Sequence, residues 1–318
     1  MSICRTVILP AAALLAVVTT TVPGAAQERY DRIVVFGTSL SDSGNAFALR
    51  GGTATPHDYK LDPLLVPSVP FARGGHHFSN GATWVEQFAR GMGLAGTVRP
   101  AFRSRSTNAT NYAVGAARAY EDGKNFNLAQ QVNAFLEDYG GVAPSGALYV
   151  IEMGGNDIRD ALVAYSSGMN GGAILQAANV AIMQSILDLY QAGARNFLVW
   201  RAPDIGLTPA VSQLGPQAVG LATQLAFAFN AGLDSVVSSL SGLPDISFAR
   251  LDATRLIGNL VAHPAAFGLT NVTRTCITPD EPPFACQNPD EFLFWDGIHP
   301  TKAVHGIVAQ EALAVLMN

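Results

Sequence analysis

The stretch "VVFGTSLSDSGN", residues 34–45, follows Ile33 and decides how the chain is read. Four apolar or aromatic residues, Ile33 to Phe36, run into Gly37 and then into a polar, hydroxyl-rich turn. A short, continuous apolar run bounded by turn residues is the pattern of a strand buried on both faces. Three serines, Ser39, Ser41 and Ser43, therefore stand at the carboxyl end of a buried strand. In open α/β sheets that is the edge where ligands bind.

Working outward, the same kind of run recurs at 147–154, 195–200 and 245–251. Between these lie segments with apolar residues at helical spacing: 82–93, 127–140, 172–193 and 215–240. Several end in glycine, a common helix stop. A last helical pattern, Pro300–Met317, opens on a proline at a favourable first position. Strand and helix in alternation predict an α/β protein, a three-layer α/β/α sandwich around a mostly parallel central sheet. No linker, repeat or low-complexity tract divides it, so residues 27–318 read as one domain. Residues 50–80, rich in Gly, Pro and His, read as an irregular excursion after the first strand.

Residues 1–26 stand apart. Arg5 precedes an apolar run over Val7–Val18, and Gly24-Ala25-Ala26 supplies small residues for cleavage. This is the order of a secretory signal peptide, so a secreted or periplasmic protein is expected. Removing Arg5 with the leader takes the formal charge from −5 to −6. Such a balance gives no basis for nucleic-acid binding, which needs concentrated basic surface. Of three cysteines, Cys4 leaves with the leader. Cys276 and Cys286 remain, ten positions apart, and in an exported protein their default reading is a disulfide. A zinc site needs further ligands nearby, and none is evident. No metal or cofactor is expected.

A serine hydroxyl is a poor nucleophile without a base, and the base needs an orienting partner. Among six histidines, His299 has Asp296 three residues upstream in "FLFWDGIHPT", residues 292–301. From one turn the carboxylate can hold one imidazole nitrogen and fix the tautomer. A third requirement is a set of donors for developing negative charge. Asn156, in "MGGNDI" after a predicted strand, and Gly115, in "NYAVGAARA", stand where such donors are needed. The plainer readings are that Asn156 caps a helix and Gly115 makes a turn.

Taken together, these blocks resemble those of the SGNH/GDSL hydrolases, over nearly the whole chain beyond the leader. "FGTSLSDSGN" resembles the first block of that family and "HFSNGATWVEQFA" the segment after its first loop. "NYAVGAA" is similar to the glycine block, "MGGNDI" to the Gly-x-Asn-Asp block, and "FLFWDGIHPT" to the Asp-x-x-His block. The resemblance implies the flavodoxin-like fold of the family and a serine carboxylic-ester hydrolase, an esterase or lipase of the secreted branch that includes the thermolabile-haemolysin-like phospholipases. It makes Ser39 the nucleophile, His299 the base and Asp296 its orienting acid. It assigns the oxyanion hole to the backbone N–H of Ser39, the backbone N–H of Gly115 and the side-chain amide of Asn156. Ser41, Ser43, Asp42 and Asp157 fall to structural roles. One departure is Thr38, where the family usually has an aspartate that is not the triad acid.

The implied partner is a small-molecule or lipid ester, met by a monomer that touches membrane surfaces only transiently. Phospholipase or lipid acyltransferase activity would use the same residues. A non-catalytic secreted binding protein on the same fold is the alternative of another class, and the intact set Ser39, Asn156, Asp296 and His299 argues against it. Apolar residues in "LDPLLVPSVPF", residues 61–71, are expected to form either a lipid-facing rim or packing against the sheet. Trp295, beside Asp296, is a candidate wall of the acyl site. The chain ends soon after its last helical pattern, so no outer-membrane barrel anchor is expected.

Overall fold

Ile33, Val34, Val35 and Phe36 are all fully buried, and they divide alternately between two cores because a strand's side chains alternate faces. The computed structural model describes residues 30–317 apart from 105 and 107. The leader expected at 1–26, Cys4 included, lies outside them.

The element order is β1 (Arg32–Gly37), α1 (Asn45–Leu49), α2 (Trp84–Gly91), α3 (Ala101–Ser104), α4 (Leu128–Asp138), β2 (Ala147–Glu152), α5 (Gly155–Ser166), α6 (Gly171–Ala192), β3 (Asn196–Arg201), α7 (Pro209–Ser212), α8 (Pro216–Leu240), β4 (Ser247–Asp252), α9 (Ala253–Ala262), β5 (Asn271–Thr275), β6 (Phe292–Phe294) and α10 (Lys302–Met317). Strands β1 to β4 form a parallel sheet in the order β1-β2-β3-β4. Beyond β1, the Val35 N–H donates to Thr110 O and the Tyr112 N–H to Val35 O. The chain through Asn111 thus extends the sheet by a single bridge.

One face of the sheet presents Val34, Phe36, Tyr149, Ile151, Phe197 and Val199 to a core that includes Phe135, Ile158, Ile182 and Phe229 from α4, α5, α6 and α8. The other presents Ile33, Val35, Leu148, Val150, Leu198 and Trp200 to Trp84, Phe88, Val308 and Ala312 from α2 and α10. Sheet and two helical layers make the expected three-layer α/β/α sandwich. Helix α6 is long and apolar enough to span a membrane by length and composition. Its Leu175, Ala178, Ile182, Ile186 and Leu189 instead belong to the core of the first face.

The excursion over 50–80 contains no helix and no strand. It is anchored by aromatic contacts: Tyr59 meets Phe71 edge-on at 5.4 Å and Trp295 at 5.8 Å. Trp295 is therefore core, packed with Cys276 and Ile277, and not a wall of the acyl site. Edge-to-face contacts with Tyr59 and Phe71 hold the indole inside this cluster. The Cys276–Cys286 disulfide is formed. The N–H groups of Cys276 and Ile277 reach Trp295 O at 3.1 and 3.0 Å, so the bridged loop braces the chain just before Asp296.

Candidate active site

Strand β1 ends at Gly37, whose N–H and C=O are both taken by the side-chain amide of Gln131, each at 2.9 Å. The chain then turns sharply: Ser41 N–H and Asp42 N–H both donate to Thr38 O, at 3.1 and 3.0 Å. Ser39 sits on the outside of that turn. The hydroxyl-rich segment following it is consumed in holding the turn. Ser41 Oγ donates to Glu152 at 3.0 Å and accepts from Trp84 Nε1 at 3.0 Å. Ser43 Oγ donates to Val98 O at 3.1 Å and accepts from Asn111 Nδ2 at 2.9 Å. Asp42, buried, accepts the N–H groups of Gly44, Asn45 and Ala46 at 2.6–2.9 Å, which anchors α1.

Asp296 and His299 come from the turn between β6 and α10. The Trp295 N–H closes that turn on His299 O at 2.8 Å. Within it, Asp296 Oδ1 accepts the N–H groups of Ile298 and His299 at 2.9 and 2.8 Å. Gly297 is packed so closely that an added Cβ would meet Leu64 O at 2.0 Å, and its N–H donates to Leu65 O at 2.9 Å. The excursion thus clamps the histidine turn directly.

The two ends of the sequence meet here. His299 Nδ1 lies 2.7 Å from Asp296 Oδ2, and His299 Nε2 lies 2.8 Å from Ser39 Oγ. An ionised carboxylate only accepts, so Nδ1 carries the ring proton and Nε2 accepts from the serine O–H. Asp296 is fully buried, His299 is 2% exposed and Ser39 8% exposed. Phe78 covers the imidazole with its ring centre 5.4 Å away.

Two cavities share Ser39, Asn156, Arg159 and His299, with Asp62, Val66 and Ile298 also lining both. One, of about 730 Å³, is walled mainly by apolar groups, among them Leu64, Val66, Leu162, Val211, Ala218 and Leu221. Leu64 and Val66 of the excursion thus form cavity wall, while Leu61 and Leu65 pack against the Trp295 cluster. The other, of about 490 Å³, is lined by Arg50, Lys60, Arg118 and Ala116 as well as the shared residues. Asn156, in the first turn of α5, donates one amide N–H to Ala117 O at 2.9 Å, leaving the second toward the cavities. The N–H groups of Ser39 and Ala116 have no partner among the described residues.

Gly115 differs from its expected role. Its N–H donates to Asp42 Oδ2 at 2.8 Å and is not free for a ligand. The glycine is required for another reason: an added Cβ would meet the Phe78 ring at 2.1 Å. A buried carboxylate recruits every donor in reach, and burial pushes the Asp42 carboxyl above the usual range even so. The next residue, Ala116, adopts a left-handed backbone with φ of 69° and lines the polar cavity.

Glu152 belongs to no motif, and its one signal in the sequence is a charged residue ending the apolar strand "ALYVIE". It accepts from the Thr38 N–H at 2.9 Å and lies 3.0 Å from Thr38 Oγ1 and Ser41 Oγ. Burial pushes its carboxyl up to about 7 against these hydrogen bonds. Asp157 accepts from Ala119 and Tyr120 N–H at 2.9 and 3.3 Å, and burial pushes it up to about 6. His305 is buried in α10, accepts from the Trp84 N–H at 3.1 Å and is held neutral by burial, its pKa lowered to about 3.

The family model for GDSL-like lipase/acylhydrolase matches residues 33–312. A GDSL esterase/lipase of Arabidopsis thaliana, At1g71691, is 29% identical over 89% of this chain and 81% of its own length. A second from the same plant, At1g29660, is 27% identical over 87% and 85%. Esterase EstA of Pseudomonas aeruginosa is 29% identical over 97% of this chain, which spans 50% of EstA.

Proposed function

The chain belongs to the GDSL-like lipase/acylhydrolase family and is a carboxylic ester hydrolase, and from that premise we propose that Ser39 is its nucleophile, His299 its general base and Asp296 the carboxylate that orients the base. The observation that carries this reading is the relay Ser39 Oγ, His299 Nε2, His299 Nδ1, Asp296 Oδ2, with hydrogen-bond lengths of 2.8 and 2.7 Å, at the junction of two cavities. As Oγ attacks the ester carbonyl carbon, its proton passes to Nε2. The imidazolium so formed is stabilised by Asp296, which stays ionised.

The carbonyl oxygen then carries negative charge. The N–H of Ser39, the N–H of Ala116 and the free amide N–H of Asn156 are the donors for it; removing one such donor commonly costs ~10²–10³ in kcat. His299 next gives its proton to the departing alcohol, leaving the acyl group on Ser39. Water, activated by the same imidazole, releases the acid. The apolar cavity of about 730 Å³ suits the acyl chain. Residues 1–26 have the order of an export signal, so the enzyme acts outside the cytoplasm, as a single domain over 27–318.

The test is hydrolysis of p-nitrophenyl esters from acetate to palmitate by the protein lacking residues 1–26 and by Ser39→Ala. Wild type is expected to turn over, and the variant to lose at least about a thousandfold in kcat. Equal activity in the two proteins would move the chemistry away from Ser39.

A further inference from the structure

Helix α5 lines both cavities with one face. Asn156 and Arg159 are spaced by three residues, so Arg159 stands about 4.5 Å further along the helix axis. Val163 and Ser166 continue that face into the apolar cavity. Arg159 is half-buried and lines both cavities, and its side chain makes neither an ion pair nor a hydrogen bond among the described residues.

The carboxylates around it are committed elsewhere. Asp160 takes Arg118 through both oxygens, at 2.7 and 2.9 Å, and also accepts from Tyr120 Oη at 3.0 Å. Asp62 Oδ1 accepts the N–H groups of Leu64 and Val66 at 2.9 and 2.8 Å. The other cations of the polar cavity have partners: Arg118 has Asp160, Arg50 donates to Ser68 O, and Lys60 lies 3.7 Å from Asp58. Asp160 and Asp62 attract Arg159 without pairing with it directly; a guanidinium taken partly out of water with no ion pair of its own is costly, and an anion arriving with the substrate offsets that cost.

We propose that Arg159 binds an anionic group, a phosphate above all, on the alcohol half of the substrate, so that the preferred ester joins an apolar acyl chain to a phosphate-bearing alcohol. The inference rests on ester cleavage at Ser39. With the acyl chain in the apolar cavity, the alcohol falls in the cavity lined by Arg50, Lys60, Arg118 and Arg159, whose lining holds one carboxylate, that of Asp62. The planar guanidinium donates two parallel N–H bonds to phosphate oxygens, a geometry an ammonium does not offer. Burial, with the repulsion of Arg118, lowers the pKa of Arg159 against the attraction of Asp160 and Asp62.

The experiment compares two soluble esters with the same acyl chain: 1-octanoylglycerol and 1-octanoylglycerol 3-phosphate. For each, kcat/KM is measured with wild type, Ser39→Ala, Arg159→Gln and Arg159→Lys. Wild type is expected to favour the phosphate ester at least tenfold. Arg159→Gln should lower that ratio about tenfold or more, and Arg159→Lys should recover part of it. A ratio near one in wild type, or one unchanged in Arg159→Gln, overturns the charge reading while ester cleavage at Ser39 stands. Cleavage undiminished in Ser39→Ala, or no cleavage of either ester, removes the premise and the inference falls with it. Vesicles of phosphatidic acid then separate the sources: cleavage there with the same Arg159 dependence assigns the phosphate to a lipid headgroup, and its absence to a small soluble alcohol.

Discussion

Thr38 and Glu152 belong together. The family usually has an aspartate where this chain has Thr38, and here the side chain lies 3.0 Å from both oxygens of the Glu152 carboxyl. A hydroxyl donates to a carboxylate; a second carboxylate could meet it only by holding a proton. Thr38→Asp is therefore expected to destabilise the protein by about 3 kcal/mol, since it buries an uncompensated charge. Adding Glu152→Gln should recover most of that loss, and chemical denaturation of both single variants and the double variant measures the coupling. Additive losses would mean that the two positions do not interact. Glu152 also has a signature in pH. Its carboxyl is pushed from its ordinary 4.5 up to about 7 by burial. Between those values the folded protein holds a proton that the unfolded chain has released. The stabilisation from this group is thus complete below about pH 4.5 and is lost as pH rises through about 7, a change of order 3 kcal/mol. Melting temperatures of wild type minus those of Glu152→Gln, taken from pH 4.5 to 8, should fall with rising pH, and a flat difference would refute the shift. Subtracting the variant removes the opposing contribution of His305, whose depressed pKa makes it stabilise as pH rises.

Helices α5 and α8 decide what the site accepts. Helix α5 starts where β2 ends, so its first turn carries Asn156 to Ser39, and its later turns become a wall of the apolar cavity. Helix α8 supplies the facing wall through Gln217, Ala218 and Leu221. Ala218 is small and half-buried, and a larger side chain there projects into the cavity. Ala218→Phe should shift preference toward short acyl chains, raising the butyrate-to-decanoate ratio of kcat/KM on p-nitrophenyl esters about tenfold, the scale on which a pocket discriminates chain length. An unchanged ratio would place the acyl chain elsewhere. The bridged loop and the excursion serve the opposite end of the site. Through Trp295 and Gly297 they fix the turn that carries Asp296 and His299.

The central sheet packs two large cores, one on each of its faces. Val34 and Val35 are neighbours in sequence and belong to different cores, so neither core can form without the strand they share. Residues 27–318 are accordingly expected to unfold in a single thermal transition, with calorimetric and van't Hoff enthalpies in agreement. Two resolved transitions would reveal two independent units. The same architecture brings Ser39 and His299, 260 positions apart, to one sheet edge.

What the sequence by itself determined is what local chemistry encodes. Continuous apolar runs marked β1, β2 and β3 because parallel strands inside a sheet are buried on both faces, while the edge strand β4, SFARLD, is mostly half-buried and carries polar residues; helical periodicity marked α2, α4, α6, α8 and α10. Asp296 and His299 were legible because their contact lies within one turn. The short helices α1, α3 and α7 and the β5–β6 pair carry too few residues to show a period; α9, ten residues long, goes unmarked although its length would carry one. Only the tertiary structure decided that the Gly115 N–H goes to Asp42, that Trp295 is core, that Glu152 lies under the nucleophile turn, and that Arg159 makes no ion pair among the described residues. Each depends on which distant group arrives beside a buried atom. Burial is a property of the assembled chain: spacing names the residues able to act, and packing settles which donors, carboxylates and cations are left free to do so.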